Sequence, residues 1–219
     1  MSRSALDDGC AALLREAAEW RLIGLLLEYP RDGWREEVQT LARQVADPKL
    51  SGASLVVLET ESEGAYLAAL GPGGAASPRE VAYCGWQEPG KVLADLAAFY
   101  TAFAYRPRLD EPPDHVAVEA GFVAYLRLKE AYARSRGIPR DGDVAAEAAR
   151  AFIADHLAVM AAPMADRLGA AGFEGLALAG RMLLHRVGPP PEARAAPLAC
   201  AGVEDCAGAC GWGPGDETP

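Results

Sequence analysis

The chain is short of positive charge. It sets 21 lysines and arginines against 31 aspartates and glutamates, a formal net charge of −10 over 219 residues. No basic stripe stands out against that background, so phosphate-backbone binding is excluded and no nucleic acid partner is expected. An acidic chain is better matched to a basic partner. Long apolar runs are missing too. None reaches the roughly 18 uncharged residues that suggest a membrane span. The opening "MSRSALDDGC" has no apolar segment of the secretory type. Cytoplasmic residence without membrane insertion is the expectation. The five cysteines are too few and too scattered for a secreted disulfide framework. The stretch "GPGGAASPRE" has no Gly-Lys-Ser/Thr after it and no strand before it, so it reads as a flexible connection and not a phosphate loop. No Gly-x-Ser-x-Gly elbow and no cysteine in an activating context support a nucleophilic enzyme.

Apolar residues make up 51% of the chain, much of it alanine, which favours helix and close helix packing. "SALDDGCAALLREAAEWRLIGLLLEYP" repeats apolar residues at three and four, and Pro30 stops it. "WREEVQTLARQVAD" is a second amphipathic helix, and "SLVVLETESEGAYLAAL" a third, although 55–58 alone could make a short strand. "GKVLADLAAFYTAFAY" carries the stripe Val92, Leu96, Phe99 and Phe103. Further helices are expected at 113–135, 144–168 and 173–187. The fold class is all-α, a single domain of about seven to nine helices over 1–187. The Pro-, Gly- and acid-rich remainder, 188–219, reads as a flexible tail. Flexible chain at 71–90 and 106–112 could let two copies exchange helices in a homodimer.

The stretch "EPPDHVAVEAGFVAYL", residues 111–126, concentrates the chemistry. Pro113 suits a first helical turn, and Asp114 suits a helix cap facing exposed backbone N–H groups. His115 gains nothing from the dipole, and lies one turn from Glu119 above Phe122 and Leu126. A histidine fixed by Glu119 or a loop carbonyl is one reading. A metal site is another, but two ligands on one helix do not make a site.

The same residues resemble the TorD/DmsD/NarJ family of molybdoenzyme maturation chaperones. The family pattern is an aromatic "F-Y-x-x-F-G" helix end, a short loop, and "E-x-P-D-H-x-x-x-E-L-E-F-M-x-x-L". Here "FYTAFAY" at 99–105 precedes the stretch above, and Pro113, Asp114, His115, Glu119, Phe122 and Leu126 fall in place. Ala104 replaces the family glycine, Ala120 and Gly121 the "L-E" pair, and Val123 the methionine. The resemblance implies an all-α chaperone without catalytic activity or a cofactor of its own. It would bind the twin-arginine signal peptide, or another segment, of an immature molybdopterin oxidoreductase catalytic subunit, and hold it until its cofactor is inserted. Peptide binding is expected at Pro113, Asp114, His115, Glu119, Phe122, Trp86, Tyr100 and Phe103. In that expectation Asp114 caps the helix and offers charge to an arginine. Glu119 orients a half-exposed His115, and Phe122 and Leu126 form an apolar floor.

Three cysteines in the tail, Cys200, Cys206 and Cys210, are weak candidates for a metal, because zinc favours four ligands in tighter pairs. The alternatives are a helical metal- or nucleotide-dependent enzyme, or a helical ligand-binding regulator. The second would need a basic helix-turn-helix, and the N-terminal "LDD", "EAAEW" and "REE" oppose it.

Overall fold

The computed structural model describes residues 3–188 except 86 and 108, with side chains from Asp8 onward. Trp86, Cys200, Cys206, Cys210 and the tail from 189 lie outside the described residues. Among those described there are nine α-helices and no strand. They are α1 (Arg3–Leu26), α2 (Trp34–Ala42), α3 (Pro48–Thr60), α4 (Glu63–Leu70), α5 (Pro89–Ala102), α6 (Val116–Ser135), α7 (Pro139–Phe152), α8 (Ala158–Ala170) and α9 (Glu174–Val187).

The architecture centres on α1 against α6, the most extensive helix pair. Alanine and glycine make that pairing close. A Cβ on Gly24 would sit 3.1 Å from the Ala117 carbonyl oxygen and 3.3 Å from the Ala120 Cβ. Trp20, Ile23 and Leu26 of α1 meet Phe122, Val123 and Leu126 of α6 in one contiguous core. Around that pair, α9 packs against α8 and α3, and α7 packs against α6.

Local chemistry sets the breaks. Residues 54–70 form two helices, not the expected one. Glu61 and Ser62 are extended, and the Ser62 hydroxyl accepts from the Ala65 N–H to start α4. Residues 55–58 are helical within α3, not a strand. The helix expected from 144 begins earlier, at Pro139, which fits the first turn. It is then interrupted by one π-helical turn, Ile153–Leu157. In α5 the buried stripe is Val92, Leu96 and Tyr100, with Phe99 and Phe103 only partly covered.

Candidate functional site

The connection between α4 and α5 folds back across the start of α6. A short 3-10 turn, Glu80–Ala82, is its centre. The Glu80 N–H donates to the Asp114 carbonyl (2.9 Å) and the Val116 N–H donates to the Pro78 carbonyl (2.8 Å). Residues 79 and 115 thereby form an isolated antiparallel bridge. Glycine and proline elsewhere in the connection made it look free in the sequence, yet this part is pinned.

Asp114 supplies the strongest pin. Its carboxylate is fully buried, and the Arg79 guanidinium closes over it. Nε lies 2.9 and 3.1 Å from the two oxygens and Nη2 lies 2.8 Å from Oδ1. Asp114 is therefore not the helix cap expected of it, and its charge is met by an arginine of the same chain.

His115 is the cap. Its Nδ1 accepts from the Ala117 N–H at 3.1 Å. A neutral ring that accepts at Nδ1 carries its proton on Nε2. Nε2 then donates to the Tyr66 hydroxyl at 3.2 Å, with Glu111 at 4.0 Å. The ring is 2% exposed, not half-exposed as expected, and Glu119 is not its partner. Burial lowers the His115 pKa to about 4; Asp114 opposes that shift and Arg79 adds to it.

A pH test follows. Above pH 6.5 the neutral ring costs the fold nothing. Below it the unfolded chain takes a proton that the folded ring refuses, so stability falls as the pH drops towards 4. His115→Asn keeps a good capping acceptor and removes the titration. Relative to that variant, the wild type should lose on the order of 2 kcal/mol between pH 6.5 and 4. Parallel denaturation midpoints for the two proteins across that range would refute the buried neutral ring.

Glu119 faces the other way, into a second buried group. Both Glu80 carboxylate oxygens stand 3.1 Å from Nδ1 of His156, which sits on the π-turn after α7. Such a turn re-aims side chains that a regular helix would point elsewhere. Neither Glu119 oxygen finds a hydrogen-bond partner among the described residues. Burial first, then the charges of Glu80 and Asp114, push its carboxyl well above the usual carboxylate range. Nearby Cys84 donates to the Glu80 carbonyl (3.3 Å), and burial with the Glu80 charge pushes its thiol up to about 11. That thiol is a structural donor, not a nucleophile.

Phe122 and Leu126 are fully buried. They form core, not the floor of an open groove. Phe122 is ringed by Phe99, Tyr100, Phe103, Tyr105 and Phe152, with centroids 4.7–6.3 Å away. Tyr100 is 7% exposed and donates to the Pro113 carbonyl (2.8 Å), which ties α5 to the motif; Pro113 itself is exposed. The departures from the family pattern now have a geometry. Ala104 holds a left-handed φ of 54°, where a glycine would avoid a penalty of about 1–2 kcal/mol. At Gly121 an added Cβ would lie 2.9 Å from the Tyr105 hydroxyl, so the tyrosine occupies the space of a side chain there.

One surface feature was missed in the sequence. The C-terminal end of α5 and the valley between α6 and α7 enclose an open groove of about 530 Å³. Phe103, Tyr125, Leu128, Lys129, Tyr132 and Val144 are among its walls. Of the expected site residues that the structure describes, only Phe103 lines it. Leu128 and Tyr132 are four apart on the face opposite Leu126, and that pairing was the available signal.

Residues 28–166 match a protein-family model described as nitrate reductase delta subunit. The chain is also 30% identical over 161 residues to a chlorate reductase assembly chaperone protein of Ideonella dechloratans, covering 70% of this chain and 77% of that protein.

Proposed function

Because the chain belongs to the nitrate reductase delta subunit family of molybdoenzyme maturation chaperones, we propose that it is an assembly chaperone for a molybdopterin oxidoreductase. Its client is the immature catalytic subunit. It binds that subunit, through the signal peptide or another segment, in the cytoplasm, and releases it after cofactor insertion. The work is recognition and shielding, without catalysis. The observation that carries the reading is the open apolar groove on an otherwise acidic molecule. A client folding intermediate exposes apolar surface of the kind such a groove covers. Asp114 and His115 serve recognition indirectly, by fixing the connection and α5 on which the groove's Phe103 wall stands. A helix-exchanged homodimer crossing at 71–90 would have to open the Arg79–Asp114 and Glu80–His156 contacts.

The test is co-expression with a molybdopterin oxidoreductase catalytic subunit from the same organism. The chaperone should co-purify with that subunit when molybdopterin synthesis is blocked, and lose it when cofactor is supplied. Failure to co-purify under both conditions, with both proteins soluble, overturns the proposal.

A further inference from the structure

We propose that the connection between α4 and α5 is a strap held down by the proton on Glu119. With that proton the carboxyl donates to Glu80. Without it, residues 79–84 lift from α6 while the helical bundle stays folded. The device is independent of the chaperone reading above.

The strap is held at its edges by exposed contacts and at its centre by a buried one. At one edge Arg79, its side chain 41% exposed, closes over Asp114. At the other, Arg167 of α8 stands 5.2 Å from the Tyr83 ring centroid. Between them a three-residue turn carries Glu80 inward to 2% exposure. The backbone tie to the start of α6 is the Glu80 N–H to the Asp114 carbonyl and the Val116 N–H to the Pro78 carbonyl. A short segment with so few backbone bonds to its neighbours opens at lower cost than the whole fold.

The surroundings of the Glu80 carboxylate therefore decide whether the strap stays down. His156 meets it from one side, with Nδ1 3.1 Å from each oxygen. Glu119 meets it from α6, and among the described residues no donor reaches either Glu119 oxygen. Two buried carboxylates facing each other repel when both are ionised. A proton on Glu119 turns that repulsion into an O–H···O⁻ bond, one of the strong class. The donor set does not suit a metal, because no three carboxylate, imidazole or thiol groups among the described residues converge as ligands would.

The other groups facing Glu119 have partners or stay neutral. Asp114 is paired with Arg79, and His156 with Glu80. Burial pushes the Cys84 thiol of the strap up to about 11 and raises Tyr100 of α5 as well. Opening the strap returns Glu119 to water, and its pKa from well above the ordinary 4.5 towards that value. Opening thus releases a proton, and its equilibrium constant rises about tenfold per pH unit between the two pKa values. Lifting the strap uncovers His156 and the Phe99 ring packed edge-on against it, 5.6 Å between centroids.

Native-state amide hydrogen exchange of the full chain, from about pH 5 to 9, reads the opening constant as the rate of an unprotected amide divided into the measured one. Glu119→Gln keeps the shape and donates to Glu80 without titrating. The wild-type constant at the Glu80 and Val116 amides, divided by that of the variant, should climb about tenfold per pH unit and then level off. His115 and Glu61 titrate in both proteins and cancel. The amide of Leu183, buried in α9, should exchange far more slowly in both. A carbon NMR titration of the wild-type Glu119 carboxyl should place its midpoint where the climb levels off. A ratio that stays flat overturns the strap, and so does a carboxyl that titrates near 4.5. Equal opening constants at Leu183 and Glu80 overturn it too, because the opening is then unfolding of the whole chain. If the variant fails to fold, the wild-type constant decides alone above pH 6.5, where His115 no longer takes a proton. It must still climb there.

Discussion

Arg79→Ala should destabilise the protein by about 3–5 kcal/mol, a larger loss than Asp114→Asn should produce. The asymmetry comes from burial. Asp114 is fully buried, while the Arg79 side chain is 41% exposed. Removing the arginine leaves a carboxylate charge in the interior whose remaining contact is a long one, 3.5 Å from the Val81 N–H. Removing the carboxylate's charge leaves a guanidinium that water can reach. Asp114→Asn should therefore cost about 1.5–3 kcal/mol, the contribution of a charge-assisted contact. The double variant Arg79→Met, Asp114→Leu should recover most of the Arg79→Ala loss, because a buried pair is often replaceable by apolar residues of similar volume. Urea denaturation of the four proteins measures all of this. If Arg79→Ala unfolds with the wild-type midpoint, the connection is not clamped at Asp114, and the site described above must open in solution.

The effect matters for function because this clamp is where the loop joins the bundle. The bridge between residues 79 and 115, the Glu80 contact with His156 and the Tyr100 contact with the Pro113 carbonyl converge on the first turn of α6. From there α5 carries Phe103 to the groove. Loosening Arg79 should thus weaken client binding without any contact between the two.

The helices were legible because period and breakers agree. Pro30 and Pro89 mark boundaries, and the apolar stripe of α1 is unmistakable. Other boundaries were not. Ser62 caps a new helix inside a run whose composition is helical throughout, and the π-turn at 153–157 leaves the residue pattern unchanged. The Pro-Asp-His motif was visible as a motif, but not its partners. Arg79 lies 35 residues from Asp114 in the chain, and Glu80 lies 76 from His156. Nothing local announces either pairing. A charged residue that looks exposed in sequence, such as Asp114, becomes interior because a distant arginine neutralises it there. The groove was hidden for the opposite reason. Leu128 and Tyr132 are ordinary on a helix until the fold leaves them uncovered.

Glu119→Gln should raise stability at neutral and alkaline pH and flatten its pH dependence. The wild-type carboxyl has no hydrogen-bond partner among the described residues, and it faces Glu80 from the connection and Asp114 from the loop before α6. Cys84 and Tyr100 lie close enough for its charge to raise them. Arg79 is spent on Asp114 and His156 on Glu80. The folded pKa is therefore raised above the unfolded value near 4.5. With that sign, the folded state holds the proton more tightly. The contribution is fully present below pH 4.5 and is lost as the pH rises towards the folded pKa, at roughly 1.4 kcal/mol per unit. Glutamine cannot ionise, keeps the shape, and can donate to Glu80. By pH 7.5 the variant should be ahead of the wild type. Glu61, raised to about 7 by burial, titrates with the same sign, and His115 opposes both between 4.5 and 6.5. The difference between variant and wild type at each pH isolates Glu119 from them. A variant that is less stable than the wild type at every pH would overturn the reading of Glu119 as an unpaired buried carboxyl.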